Sequence, residues 1–427
     1  MTDSRTLEAA VRTVRGVLAG PGARFRFERP DRFEPPALDR GGLYIHVPFC
    51  RTLCPYCPYN RIPFDRALAD AFVDGLGAEA EFYGRVLPEA EIDSVYVGGG
   101  TPTSLGDDLF RVLATVERRF RVTGPVCLET HPAEVTRETA GALRSAGVAA
   151  VSLGVESFQP RLLNRIGRQY SGERARNAIA WLHDAGIPTI NVDLMFALPS
   201  QTLGELDADL DLAAASPATQ VTAYPLFTFP YTAVGTFRRL HGVESPPLRT
   251  RRRMYYRLSE FFERRGWHRA SVWSYQRAPA DSMRYSSVMR RRYLGLGPGA
   301  GSWLGSRFTL NTFSVPEYVR AVARYGHAVA LEMPFTHRLA ELYELYWDLY
   351  GTEFAVPAEP GGTEASIEAV LSVIAALGLA VREPGRVRLT RRGAFWVHLL
   401  QNQLSLRAID RIWSAARAEP WPVRVEF

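Results

Sequence analysis

Short apolar runs supplied with β-branched residues recur through the first half of the chain, and a stretch with helical spacing follows each. The runs predict strands at Leu43–Val47, Ser94–Val97, Val126–Glu129, Ala150–Val155, Thr189–Phe196 and Val221–Leu226. The intervening stretches predict helices at Leu68–Arg85, Gly106–Arg119, Arg137–Ala146, Gly172–Ala185 and Leu203–Ala215. Thr136 and Ser171 stand as capping residues, and Gly147 and Gly186 as stops. Strands separated by helices imply a parallel sheet with right-handed crossovers. Such a series makes either a doubly wound sheet or a partial barrel, and in both cases ligands gather at the carboxyl ends of the strands.

Unusual residues do fall at those ends. The first strand leads into three cysteines, the second into Gly98-Gly99-Gly100-Thr101-Pro102-Thr103, and the third ends at Glu129. Glu156 follows the fourth, and Asp193 lies within the fifth. Ahead of this series, residues 1–40 read as an N-terminal extension, a short helical pattern (Leu7–Leu18) followed by a Pro- and Arg-rich linker. Beyond about Asn311 the character changes. Helices are expected at Val315–Tyr325 and His337–Leu349, then a helix, a strand pair turned at Pro384-Gly385, and a further helix. The division expected is therefore 1–40, 41–310 and 311–427, the last a small winged-helix-like unit capping the barrel mouth. Its Trp347, Tyr350 and Trp396 are either core or pocket lining.

Composition adds bounds. The 427 residues are 46% apolar and 22% charged, ordinary for a globular chain with a sizeable core. The net charge of +6 is carried by Arg alone, since the sequence has no Lys. Arg runs at 251–253 and 290–292 lack interleaved aromatic residues and read as solvated faces, so no nucleic-acid partner is expected. No apolar run is long enough to span a membrane and no signal-peptide core is present, so a cytoplasmic location and no membrane partner are expected.

Three of the four cysteines, Cys50, Cys54 and Cys57, fall within "YIHVPFCRTLCPYCPYN". Four cysteines in so long a chain make no disulfide framework. Three uses fit them: an iron–sulfur cluster with one iron left open, a zinc site completed by a residue such as His46, or a CPYC redox dithiol. Cys127, deeper along the third strand, reads as a buried apolar residue.

The spacing Cys-x3-Cys-x2-Cys with an aromatic before the last Cys resembles the radical S-adenosylmethionine (SAM) signature. The whole stretch is similar to the oxygen-independent coproporphyrinogen III oxidase family within it. "GGGTPT", "GVESFQPRLLNRIGR", "NVDLMFALPSQT" and "YLGLGPGAGSWL" carry the same resemblance, over about Gly41 to Leu310. It implies an α/β fold, a partial (β/α)6 barrel with a mainly helical C-terminal domain. It implies a 4Fe–4S cluster held by Cys50, Cys54 and Cys57, whose open iron binds SAM; reduction then cleaves SAM to a 5′-deoxyadenosyl radical. SAM contacts implied are Tyr44, Tyr56, Gly99, Gly100, Thr101, Glu129, Glu156, Arg168, Asp193, Phe227 and Gly301. Arg168 is expected at a SAM carboxylate. Glu129 is expected at its ribose hydroxyls. Glu156 stands where the family commonly has Gln. His46 touches SAM or makes a structural hydrogen bond. An electron donor such as flavodoxin or ferredoxin, a small-molecule substrate and a monomer are also implied.

The resemblance includes the set Tyr56, Gly100, Thr101, Glu156, Arg168, Asp193 and Phe227, which implies a second SAM. The family's oxidase has a fourth cysteine where this chain has Tyr59, and the stretch "SMRYSSVMRRRYLG" also departs from it. The reaction expected on these grounds is methylation or cyclopropanation of an sp2 carbon in a natural-product-type substrate, by a class C radical SAM enzyme, with Tyr44 and Tyr59 as candidate catalytic residues. Oxidative decarboxylation and a heme-chaperone role are the alternatives.

Overall fold

The computed structural model of the chain describes residues 24–226, 246–278, 292–356 and 363–427. Two strands open it, β1 (Arg26–Glu28) and β2 (Arg40–Val47), and the two-residue strands β3 (Phe49–Cys50) and β4 (Ile62–Pro63) bracket the cysteines. There follow α1 (Arg66–Val86), β5 (Glu91–Gly99), α2 (Asp108–Arg119), β6 (Arg121–Val122), β7 (Val126–Thr130), α3 (Arg137–Ser145) and β8 (Val148–Glu156). The alternation continues through α4 (Pro160–Arg165), α5 (Gly172–Asp184), β9 (Thr189–Phe196), α6 (Leu203–Ala215) and β10 (Gln220–Pro225).

All six anticipated strands form. β2, β5, β7, β8, β9 and β10 lie side by side in that order, and every neighbouring pair is parallel. Strands laid down in sequence order are barrel winding, whereas a doubly wound sheet reverses about its first strand. The fold is therefore the partial barrel. The strands form because both faces are covered: in β9 all residues but Asp193 are buried. The helices cover the outside with one apolar stripe each, as Leu109, Val112, Leu113 and Val116 do on α2. Thr202 and Glu205 cap α6 reciprocally, and the Thr136 and Ser171 side chains cap α3 and α5.

After β10 come α7 (Leu248–Arg264), β11 (His268–Arg269), β12 (Ser274–Gln276), β13 (Tyr293–Leu296), β14 (Gly301–Trp303) and β15 (Arg307–Asn311). Then come α8 (Val315–Tyr325), β16 (Val329–Pro334), α9 (His337–Gly351), β17 (Glu353–Ala355), α10 (Thr363–Ala376), β18 (Ala380–Glu383), β19 (Arg386–Leu389), α11 (Arg391–Ala418) and β20 (Arg424–Glu426). Antiparallel β12 extends the barrel sheet beyond β10, and β13 joins β2 in parallel. From β13 the sheet runs on through β14, β15, β16, β1 and β20, so its hydrogen bonds pass straight across position 311. β17, β19 and β18 form a separate three-stranded wing beside α10 and α11.

The segment expected to be a linker instead supplies β1, paired with both β16 and β20. Phe27 is its single buried residue and packs with Leu310, Leu331 and Val425. One inward side chain in three is too short an alternation to stand out in sequence. The helical pattern at Leu7–Leu18 lies outside the described residues. Among the described residues no helix is long and apolar enough to cross a membrane.

One buried acid ties the barrel to the sheet extension. Glu79 of α1 is fully buried and accepts from the Gly297 amide (2.8 Å), Asn311 Nδ2 (2.8 Å) and the Tyr318 hydroxyl (2.7 Å). Burial raises its carboxyl from 4.5 to about 7, overcoming donors that favour the charged form. A raised acid keeps its proton in the folded state. Its contribution is complete below the unfolded value and is lost as pH rises through about 7, a span of about 3 kcal/mol. The denaturation midpoint is expected to fall between about pH 5 and pH 8, and to fall less in Glu79→Gln. Equal slopes in the two proteins would refute this role.

Candidate active site

The cysteine loop leaves the carboxyl end of β2. Cys50 is buried on β3, while Cys54 and Cys57 are half-buried. The Cys57 amide donates to the Cys54 carbonyl (3.2 Å), a tight turn that places Pro55 and Tyr56 between them. Arg61 also donates to the Cys54 carbonyl. The Thr101 hydroxyl points at the Cys50 sulfur (3.5 Å). Burial raises Cys50 and takes Cys57 up to about 11, and at both the nearby Arg61 charge acts in the opposite sense.

His46 anchors the loop from below. Its Nε2 lies 2.7 Å from the Asn60 carbonyl, so Nε2 carries the proton; Nδ1 is then the acceptor for the Tyr44 hydroxyl at 2.8 Å. Burial lowers His46 to about 4, which keeps this neutral arrangement. The structural reading of His46 is the one the geometry supports, and it fixes the Tyr44 hydroxyl as a donor. Asn60 continues the chain of contacts: its Nδ2 donates to the carbonyls of Pro298 (3.0 Å) and Phe313 (2.9 Å). Arg417 of α11 donates to the carbonyls of Pro58 (3.2 Å) and Tyr59 (3.0 Å). The loop is thus held by segments far along the chain.

The glycine run packs onto this loop. The Gly100 and Thr101 amides donate to the Val47 and Phe49 carbonyls at 2.7 and 2.8 Å. A Cβ on Gly100 would lie 2.6 Å from the Phe49 carbonyl oxygen. At Gly99 it would lie 2.6 Å from the His46 ring, on a backbone with φ of +110°. The glycines are therefore required by protein neighbours, before any ligand is considered. Gly99→Ala is expected to lower stability by about 2 kcal/mol or more in chemical denaturation, through both strain and overlap. A change below about 0.5 kcal/mol would show that the two packing limits are relieved elsewhere.

Glu129, at the end of β7, accepts from the Gly99 amide (3.1 Å) and the Tyr96 hydroxyl, and burial raises its pKa. Asp193 accepts from the Ser152 hydroxyl (2.6 Å) and Asn191 Nδ2 (2.8 Å); the partner expected for a carboxylate inside an apolar strand is thus supplied by the barrel. Burial first, then the charges of Glu156 and Glu129, push its pKa well up.

Glu156 and Arg168 close on one another. Glu156 ends β8 with φ of +61°, where a register shift between Gly154 and Glu156 turns it. Its carboxylate accepts from Arg168 Nη2 (2.5 Å) and the Tyr224 hydroxyl (2.8 Å). Arg168 Nε donates to the Tyr56 hydroxyl at 2.8 Å, and both members of the pair are below 10% exposed. Arg168, implied by the resemblance to meet a SAM carboxylate, here pairs with a carboxylate of the chain, Glu156. Beyond the turn, buried Asp209 of α6 accepts from the Ser157 hydroxyl (2.6 Å), the Phe158 amide (2.9 Å) and Gln159 Nε2 (3.1 Å), clamping the residues after Glu156.

Tyr59 is 52% exposed, yet its phenol is pushed well above the usual range by loss of water and by Glu129, Cys57, Asp193 and Tyr350. Cys127 is buried with Tyr96 and Ala150, as expected. Gly301 of β14 faces Leu310 of β15, and a Cβ there would crowd the Phe308 ring at 3.1 Å. Phe227 lies outside the described residues, as does most of "SMRYSSVMRRRYLG". The structure thus gathers Tyr44, Tyr56, Gly99, Gly100, Thr101, Glu129, Glu156 and Arg168 around the cysteine loop. Asn60, Arg61, Asp209, Tyr224 and Arg417 were not anticipated. Asn60 and Arg61 directly follow the cysteine motif and could have been noticed there; Arg417 gives no local signal.

The donor set fits an iron–sulfur cluster. Zinc would take its ligands at a single ion. Three thiols on one loop instead suit a cluster, which takes each thiolate at a separate iron.

The Radical SAM superfamily profile matches residues 44–213. The heme chaperone HemW of Bacillus subtilis is 28% identical over 288 residues, spanning 66% of this chain and 76% of the relative. HemW of Mycobacterium tuberculosis is 30% identical over 274 residues, 62% of this chain and 70% of the relative. Among solved structures, coproporphyrinogen III oxidase HemN from Escherichia coli superposes with a TM-score of 0.73 over 90% of this chain and 95% of that one, at 18% identity, a likeness of fold. These relatives correct the expected reaction. The HemW relatives are heme chaperones, so methyl transfer or cyclopropanation of a natural product by a class C enzyme is overturned, and the heme-chaperone alternative fits better. The chain belongs to the radical SAM superfamily, in the group that contains HemN and HemW.

Proposed function

We propose that this chain is a heme-handling radical SAM protein of the heme-chaperone kind. Radical SAM proteins carry a 4Fe–4S cluster and use SAM, and the cluster supplies the one-electron chemistry that cleaves SAM. In this reading Cys50, Cys54 and Cys57 would hold the cluster. Gly99, Gly100, Thr101 and Glu129 would meet SAM, and His46 and Asn60 would keep the loop in place. A reductant is required, and a small electron-transfer protein would meet that need.

The observation that carries the reading is the 30% identity with a heme chaperone across 274 residues. Tyr59, 52% exposed just after the cysteine motif, supports a reachable small-molecule site there. Tyr59 in place of the oxidase cysteine weighs against porphyrinogen decarboxylation.

The test is a hemin titration of the anaerobically reconstituted protein, followed in the Soret band, beside an assay for 5′-deoxyadenosine. Saturable binding of one heme per chain is expected. Absence of saturable binding, or turnover of coproporphyrinogen III, would overturn the proposal.

A further inference from the structure

A cavity lies at the other end of the barrel from the cysteines. β12 runs antiparallel to β10, so Gln276 stands opposite Gln220, at the amino-terminal end of the parallel strands. There a groove of about 660 Å³ opens between the barrel edge and the wing, a volume suited to a small molecule. Buried Trp267 and Leu389 give it apolar surface.

Its charge is one-sided. Arg269, Arg386, Arg388 and Arg391 line it, against Glu263 and Glu353. Glu263 pairs with both Arg269 and Arg391, and Glu353 with Arg386. Among the described residues Arg388 makes no ion pair, although its backbone lies directly across the ladder from Glu353. Four guanidinium groups against two carboxylates leave two positive charges in excess. The Nε atoms of Arg269 and Arg391 are buried without an acceptor. The groove also receives the start of α11. Thr390 caps this 28-residue helix and lines the groove, adding the positive end of its dipole.

We propose that this groove between β11, β12 and the β17–β19 wing binds a small dianion, one bearing a phosphate or two carboxylates, at a site separate from the cysteine loop. Planar guanidinium forks match both oxyanions, and the charge excess matches two negative charges. The inference goes beyond the heme reading and does not depend on it.

The test uses the full-length reconstituted protein and calorimetric titration with inorganic phosphate and, separately, glutarate. Saturable binding of at least one probe is expected, and which one binds assigns the ligand class. Arg388 is exposed on the central strand of the wing, so Arg388→Glu threatens no core; it is expected to weaken binding by about tenfold or more. Arg118→Glu, exposed on α2 and outside the groove, is expected to bind like the parent. Failure of both probes to bind the parent overturns the proposal. So does an Arg388→Glu protein that binds as tightly as the parent, or an Arg118→Glu protein weakened equally.

Discussion

A Cys54→Ala protein, reconstituted anaerobically beside the parent, is expected to lose most of its iron and to form 5′-deoxyadenosine at least about 100-fold more slowly. Loss of an outer-shell partner alone commonly costs up to about that much, and a ligand should cost no less. Cys54 is the informative choice for a structural reason. It is half-buried on a loop and packs against a small cluster that includes Leu162 and Met195, so removing its sulfur leaves the main barrel core untouched. Its backbone carbonyl, which takes the Cys57 amide and Arg61, survives the substitution. A variant that keeps its iron and cleaves SAM at the parent rate would remove the cluster assignment for this loop.

Arg168→Ala is expected to destabilise the fold by roughly 3–5 kcal/mol, because it strands the buried Glu156 carboxylate. Tyr224 would remain as a donor to Glu156, but one neutral hydroxyl cannot replace a guanidinium. The double variant Glu156→Gln/Arg168→Met is expected to regain most of the loss, since removing both charges ends the desolvation problem. Denaturation midpoints of the two single variants and the double variant give the coupling directly. A loss below about 1 kcal/mol in Arg168→Ala would mean that water reaches Glu156 and that the pair contributes little.

Much of the barrel was legible because its signals are local. Each of the six parallel barrel strands is a mostly apolar run long enough to announce itself, unlike the two-residue β3, β4 and β6, and the helices between carry caps and glycine stops. β1 was missed because three residues with one inward Phe27 make no visible period. The site divides in the same way. The three cysteines, the glycine run and Glu129 stand at strand ends and could be read in order. That Glu156 would pair with Arg168 was not legible, because it depends on a positive φ and a register shift that no residue type announces. The purpose of Gly99 was legible only in part: its freedom of φ was visible, while the His46 ring pressed against it is a tertiary fact. The reaction was least legible, because the motif residues are shared across the superfamily and the choice between chemistries rests on whole-chain similarity.

The hold of Arg417 on Pro58 and Tyr59 has a consequence for the order of events during synthesis. The cysteines leave the ribosome early, whereas the side chain that fixes the end of their loop is separated from it by 359 and 358 positions. Asn60 likewise waits for Pro298 and Phe313, 238 and 253 positions on. The thiols are therefore translated long before the loop that carries them can take its final shape. Cluster loading is expected to follow release of the nearly complete chain, and ribosome-stalled chains ending before residue 298 should acquire no stable iron.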